Sequence, residues 1–65
     1  MQVIINGESR NVSDNLTIVE LLNEMGIEGK IAVEVNQEIL PRSQFSDYRL
    51  NPGDTLEIVR AIGGG

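Results

Sequence analysis

The chain has 65 residues, with ten acidic and five basic side chains and neither cysteine nor histidine. A chain of this length forms one domain at most, because it buries only roughly 60% of the surface that it exposes when unfolded. The missing residue types exclude disulfides, the usual zinc ligands and nucleophile–base pairs that need Cys or His, so much of the catalytic repertoire is removed and we expect no bound metal.

The first predicted element is a β-hairpin. The β-branched segment MQVII is followed by Asn6-Gly7, a dipeptide that favours a tight turn because both residues tolerate a positive φ. The segment ESRNV then returns as the second strand. Alternation places Val3 and Ile5 on one face of the first strand and Ile4 on the other.

The next element is a helix over about residues 18–25. Its apolar residues follow the i, i+3, i+4, i+7 spacing of one helical face: Ile18, Leu21, Leu22 and Met25. Thr17 is placed to cap the first turn, with Glu20 as its partner in a capping box. Gly26 suits the left-handed residue that ends a helix.

The second half of the chain contains mainly strands and turns. KIAVEVN alternates like a strand, NQE is a tight turn, and the apolar pair before Pro41 is a short strand. RSQFSDYRL predicts a loop with one helical turn, and NPGD predicts a turn with Gly53 at positive φ. TLEIV is the last strand, with Leu56 and Ile58 on its inner face.

The predicted order is strand, strand, helix, strand, short strand, strand. One main helix packed on one face of a mixed sheet of four to five strands is an α+β design with two layers. This layout is that of the β-grasp, or ubiquitin-like, fold. We therefore expect a β-grasp domain over residues 1–62 and a flexible glycine tail over residues 63–65.

A single helix leaves the other face of the sheet in contact with solvent. That face is mostly polar, but Ile4, Ala32 and Val59 are predicted to lie there too. If their strands adjoin, they form an apolar patch that could dock a partner; otherwise they are scattered exposed aliphatics, which are common. Arg60 is a further candidate for partner contact, or else an ordinary solvated charge.

The net charge of −5 disfavours nucleic acid as a partner, because phosphate backbones are also negative. It favours a partner with a basic surface, or it serves only to keep the protein dispersed. No apolar stretch approaches the roughly 20 residues that cross a bilayer, and the start MQVIIN has no signal-peptide pattern. We therefore expect a cytoplasmic protein without membrane contact.

The last three residues, Gly63, Gly64 and Gly65, lack side chains, so they can pass through a channel that a Cβ would block. A carboxylate on Gly65 is ionised at neutral pH and reacts as an acyl group only after activation, for example as a mixed anhydride with AMP. The domain would supply recognition while the tail delivers the reacting group to a partner's active site. The alternative is a frayed terminus without function.

Three segments of the chain resemble the small sulfur carriers of thiamin biosynthesis, the ThiS family: TIVELLNEMG, IAVEVNQEILPRSQF and LNPGDTLEIVRAIGGG. The piece VNQEILPR is more typical of these carriers than of ubiquitin. The resemblance departs at two points. The family usually ends in two glycines where this chain has three, so Gly65 would be the activated residue, or Gly64 if the last residue is trimmed. The family also often carries tryptophan near the position of Phe45.

The resemblance implies a carrier that is not itself an enzyme and binds no cofactor. A monomer when free is the default expectation for a chain of this size. A ubiquitin-activating-like adenylyltransferase would use ATP to adenylate Gly65 while Gly63 and Gly64 thread its active site. A sulfur donor protein would then convert the adenylate to a thiocarboxylate, and the sulfur would pass to thiazole synthase.

Two alternatives use the same kind of tail. The small subunit of molybdopterin synthase, the MoaD family, shares the fold and the thiocarboxylate chemistry, but its chains tend to be longer and more aromatic. A ubiquitin-like modifier would instead be joined through Gly65 to lysines of target proteins. A free form that is heavier by one sulfur-for-oxygen exchange would favour a carrier over a modifier.

Overall fold

The computed structural model describes residues 1–60, which form a five-stranded sheet with one α-helix on one face. The elements are β1 Gln2–Ile5, β2 Glu8–Asn11, α1 Ile18–Met25, β3 Ile31–Val35, β4 Glu38–Leu40 and β5 Thr55–Arg60. The strand order is β2-β1-β5-β3-β4, with β1 and β5 parallel and the other neighbours antiparallel. The predicted α+β architecture is confirmed. The predicted glycine tail and the boundary at residue 62 lie outside the described residues.

Helix α1 begins and ends as the sequence predicts. The Glu20 backbone N–H donates to Thr17 Oγ1 at 3.1 Å, and the Thr17 backbone N–H donates to Glu20 Oε1 at 2.9 Å, so the capping box is complete. Hydrogen bonds from the Thr17 backbone and hydroxyl lower the pKa of the Glu20 carboxyl. Gly26 ends the helix with a φ of 69°. No helix within residues 1–60 is long and apolar enough to span a membrane.

The turns between strands require residues that accept a positive φ. Asn6 and Gly7 join β1 to β2 with φ values of 51° and 83°, as the hairpin prediction requires. Asn36 and Gln37 join β3 to β4 with φ values of 51° and 72°. Gly53 precedes β5 with a φ of 85°, which confirms the predicted NPGD turn.

The core lies between α1 and the sheet, and β5 runs through its centre. Leu56 is fully buried and stands opposite Val35 of β3 and Ile5 of β1, both of which are also buried. The other buried hydrophobic residues are Val3, Leu16, Ile18, Leu21, Leu22, Val33, Phe45, Leu50 and Ile58. Aliphatic packing therefore supplies most of the core, since Phe45 is its one aromatic member within this part of the chain.

A buried carboxylate, Asp54, fixes the start of β5. Its oxygens accept hydrogen bonds from the Tyr48 hydroxyl at 2.8 Å, the Asn51 backbone N–H at 2.9 Å and Asn36 Nδ2 at 3.1 Å. Only 6% of Asp54 is exposed. Burial, together with the hydrogen bond to Asp54, raises the pKa of Tyr48. Asp54 thus joins the loop before β5 to the turn after β3.

We expect Asp54→Ala to lower the free energy of unfolding by about 2 kcal/mol, because it leaves three partly buried hydrogen-bond donors without their acceptor. The loss is large for a domain of 65 residues, whose total stability is about 3 to 10 kcal/mol. Urea denaturation monitored by circular dichroism measures the change. Asp47→Ala, which removes an exposed acid from the same loop, is the control. Equal urea midpoints for the two variants would contradict the role assigned to Asp54.

Candidate functional site

The face of the sheet that α1 leaves uncovered, here called the open face, carries alternate exposed side chains from all five strands. These are Gln2, Ile4, Ser9, Asn11, Ala32, Glu34, Ile39, Thr55, Glu57 and Val59. Three of the four exposed large hydrophobic residues of the described chain belong to it: Ile4, Ile39 and Val59 are 39%, 76% and 58% exposed. The open face therefore carries most of the exposed large hydrophobic side chains of residues 1–60, and the fourth, Val19, belongs to α1.

The predicted patch divides into two parts along β5. Ala32 stands directly opposite Val59, so these two side chains are neighbours. Ile4 stands opposite Thr55, which is four residues before Val59 on β5. At 3.3 Å per residue this separates Ile4 from Val59 by about 13 Å along the strand. The strands adjoin as the prediction requires, but the three residues do not form one continuous patch.

Arg60 lies on the opposite face of the sheet. Its cross-strand partner is Ile31, which alternates with the buried Val33 and points toward α1. Side chains that stand opposite each other in an antiparallel pair share a face. The structure therefore separates Arg60 from Ile4, Ala32 and Val59.

Two carboxylates meet at the centre of the open face. Glu34 of β3 stands directly opposite Glu57 of β5, and Ile39 of β4 stands opposite Glu34 on its other side. Like charges in this position destabilise a sheet unless a cation lies near them. Alternation along each strand places both acids on this face, but only the register of β3 against β5 pairs them. Sequence reasoning accordingly missed the pair, and it missed Ile39.

Strand β5 connects the open face to the predicted reactive terminus. It carries Glu57 and Val59 on the open face and ends at Arg60, the last described residue. Gly65 follows five residues later, so its distance from Arg60 is at most about 18 Å. Gly63, Gly64 and Gly65 lie outside the described residues, and their role in a partner's active site stays a prediction.

A groove of about 260 Å³ lies on the other side of the sheet, beside α1. Its apolar lining comes from Val19, Leu22, Ile27, Ile31 and Phe45. At its rim, Arg42 Nη2 donates to the Gly29 carbonyl at 3.1 Å, so this guanidinium ties two loops of the domain together. Within residues 1–60, acidic side chains do not converge in threes as a metal site would require.

Comparison of the sequence with known families gives a match to the ThiS family over residues 3–65. The sulfur carrier protein ThiS of Thermus thermophilus is 39% identical over 64 residues, which cover 97% of this chain and 98% of that protein. A thiazole synthase of Paramagnetospirillum magneticum is 50% identical over 66 residues and matches all of this chain. This chain spans only 20% of the length of that thiazole synthase.

Comparison of the fold with solved structures indicates the same family. The crystal structure of the thiamine biosynthesis protein ThiS from Geobacter metallireducens superposes with a TM-score of 0.87 at 30% identity, and the match covers 100% of both chains. The predicted β-grasp fold is confirmed by this match. The agreement extends over the whole domain and is not confined to a motif.

Proposed function

This chain belongs to the ThiS family, and we propose that it is a sulfur carrier of thiamin biosynthesis. The observation that carries the proposal is the match to the ThiS family over residues 3–65. A relative of nearly the same length, from Thermus thermophilus, is named as a sulfur carrier protein. The carrier acts as a co-substrate of other enzymes, and its own contribution is a recognised surface and a reacting terminus.

The proposed chemistry takes place at Gly65. A carboxylate oxygen of Gly65 attacks the α-phosphorus of ATP in the active site of an adenylyltransferase, and pyrophosphate leaves. The acyl-adenylate is a good acyl donor because AMP is a far better leaving group than oxide. A donor protein supplies sulfur at the sulfide level, which attacks the acyl carbon and displaces AMP to give a thiocarboxylate. Gly63 and Gly64 allow the terminus to enter each active site because they carry no Cβ.

The open face is the proposed docking surface for these partners. Ala32 and Val59 offer apolar contact close to the end of β5, and Glu34 and Glu57 offer paired negative charge beside them. A partner with a basic side chain between apolar ones complements this arrangement. Docking at this place would bring the residues after Arg60 toward the partner's active site.

Thiazole synthase is the proposed acceptor of the sulfur. The Paramagnetospirillum protein of that name contains a segment 50% identical to this whole chain within a polypeptide about five times as long. A carrier held in the same polypeptide as its acceptor gains a high effective concentration without any new contact. This arrangement in a relative supports thiazole synthase as the partner of this chain.

A reconstituted reaction tests the proposed pathway. The thiocarboxylate form of this chain, supplied to thiazole synthase with its other substrates, is expected to support thiazole formation. The same form supplied to the large subunit of molybdopterin synthase is expected to give no product. Product only in the second reaction would identify a MoaD-like carrier. Recovery of the chain from cells in covalent linkage to lysines, with no thiocarboxylate form, would identify a protein modifier.

Reversing one charge on the open face tests the docking surface. We expect Glu57→Lys to weaken binding to the adenylyltransferase about tenfold, because it places a cation against the partner's basic groups. Stability should rise slightly, since the new lysine stands opposite Glu34. Titration calorimetry measures the affinity. Glu24→Lys, on the exposed face of α1, changes the net charge equally and is the matched control. Equal affinities for the two variants would contradict docking at the open face.

A further inference from the structure

Asn6, which the sequence marks only as a turn residue, also holds β5 in place. Its Oδ1 accepts a hydrogen bond from the Ile58 backbone N–H at 2.8 Å, and its Nδ2 donates to the Ile58 carbonyl at 3.2 Å. The two residues are 52 positions apart in the chain. One side-chain amide thus makes both hydrogen bonds that a neighbouring strand would make to Ile58.

The position of Asn6 explains why this contact forms. Backbone pairing between β1 and β5 runs from Ile4 N–H to the Asp54 carbonyl, then from Asn6 N–H to the Leu56 carbonyl, each at 2.9 Å. Alternate residues of β5 face β1, so Ile58 is next in this series. The backbone of β1 has by then turned away at Gly7, which has a φ of 83°. The Asn6 amide takes the place of the strand that is no longer there.

The contact between Asn6 and Ile58 supports the last residues of β5 on the side away from β3. Beyond Leu56, β3 pairs with β5 on one side as far as the Ile31–Arg60 pair. On the other side, among residues 1–60, the Asn6 amide is what binds the backbone of Ile58. Arg60 lies two residues farther on, and the chain continues from it to Gly65. Asn6 therefore holds β5 on the side that β1 leaves open, while Val59 keeps its place opposite Ala32 through β3.

We propose that Asn6 is a positioning residue for the transfer reaction. Its amide holds the end of β5, Ile58–Arg60, so that the residues after Arg60 start from a fixed position relative to the docking face. The inference rests on the proposed carrier function. It assigns to a hairpin asparagine a role in delivering a group that lies more than 50 residues away in sequence.

A second asparagine provides a matched control. Asn36 also occupies a turn with a φ of 51°, and its Oδ1 accepts from the Thr55 backbone N–H at 3.0 Å. Its Nδ2 donates to Asp54 at 3.1 Å. Asn36 thus binds β5 at its first residue, at the end away from the terminus. Glycine at either position keeps the positive φ accessible and removes the side-chain amide with its Cβ, and the added backbone freedom is the same in both variants.

The test compares Asn6→Gly with Asn36→Gly in the reaction with ATP and the cognate adenylyltransferase, well below both melting temperatures. For Asn6→Gly we expect kcat to fall about 3- to 10-fold, because the reacting group is misplaced, while KM changes less than about twofold since the docking face remains. For Asn36→Gly we expect both constants to stay within about twofold of the unmodified chain. Amide hydrogen exchange should quicken about tenfold or more at Ile58 in the first variant and at Thr55 in the second.

Two other results would contradict the role assigned to Asn6. Equal loss of kcat in the two variants would show that Asn6 acts through stability alone, and no loss in Asn6→Gly would show that the terminus is delivered without it; either result overturns the inference. If the chain with Asn6 intact is not adenylated, the proposed function fails instead. In that case unchanged exchange at Ile58 in Asn6→Gly would overturn the inference independently, since the amide would then not hold the strand.

Discussion

A chain that ends at Gly63 will show no ATP-dependent modification, and its urea midpoint will equal that of the full chain. Removal of Gly64 and Gly65 draws the carboxylate back by about 7 Å, and a displacement of about 1 Å can already cost about a hundredfold in rate. The two glycines have no side chains, so their removal takes no apolar side-chain surface out of the core. Intact mass spectrometry after incubation with ATP and the adenylyltransferase measures the first effect.

Two further chains make this comparison specific. Deletion of Gly65 alone is expected to abolish modification as well, because the carboxylate then falls about 3.3 Å short. Addition of one alanine after Gly65 is expected to do the same, because a Cβ enters the channel and the carboxylate moves forward. If the chain ending at Gly63 still accepted AMP or sulfur, the reacting group would have to lie elsewhere in the molecule.

Leu56→Ala is expected to have the largest effect on folding, a loss of about 3 to 4 kcal/mol in the free energy of unfolding. Leu56 is 0% exposed and lies on the central strand between Ile5 and Val35, so neighbouring strands on both sides limit collapse of the cavity. Such a loss approaches the whole stability of a domain of this size, which is about 3 to 10 kcal/mol. Urea denaturation at 25 °C measures it, and many variant molecules should be unfolded without denaturant.

Val59→Ala is the control for this substitution, because Val59 lies on the same strand but is 58% exposed. Its expected loss is below about 0.5 kcal/mol. The assignment of β5 as the centre of the core would be contradicted if Leu56→Ala were no less stable than Val59→Ala.

The helix and the inward face of β5 were predictable because their signals are local. The spacing of Ile18, Leu21 and Leu22 fixes a helical face, and Thr17 with Glu20 fixes its first turn. Alternation of Leu56 and Ile58 fixes the buried face of β5. The α+β class and the one-helix sheet follow from the order of such elements, without knowledge of which strands are neighbours.

Which residues of the open face are neighbours was less predictable, because this depends on the register between adjacent strands. The register of β3 against β5 brings Ala32 beside Val59. The register of β1 against β5 places Ile4 opposite Thr55, four residues before Val59. The alternation that places Ile58 inward also places Arg60 on that side, so this separation was available from the sequence. The pairing of Glu34 with Glu57 was not, because no local pattern relates them.

The sequence predicts one role of Asn6, its place in the hairpin turn, but it does not predict the other, its contact with Ile58. Asn-Gly favours a hairpin through its backbone, and the structure confirms that turn. The side chain's contact with Ile58 arises only because β1 lies parallel to β5 and stops short of its end. A long-range parallel pairing cannot be read from the residues around Asn6.

Strand β5 buries Leu56 and Ile58 on its inner face, carries Glu57 and Val59 of the proposed docking surface on its outer face, and leads from Arg60 toward the terminus. The central claim is that Gly65 carries the transferred sulfur. Intact mass spectrometry of the chain, after incubation with ATP, the adenylyltransferase and the sulfur donor, tests it most directly when followed by mass analysis of the proteolytic fragments. We predict a gain equal to one sulfur-for-oxygen exchange, found only in the fragment that ends at Gly65. An unchanged mass, or an exchange located in any other fragment, would contradict the claim.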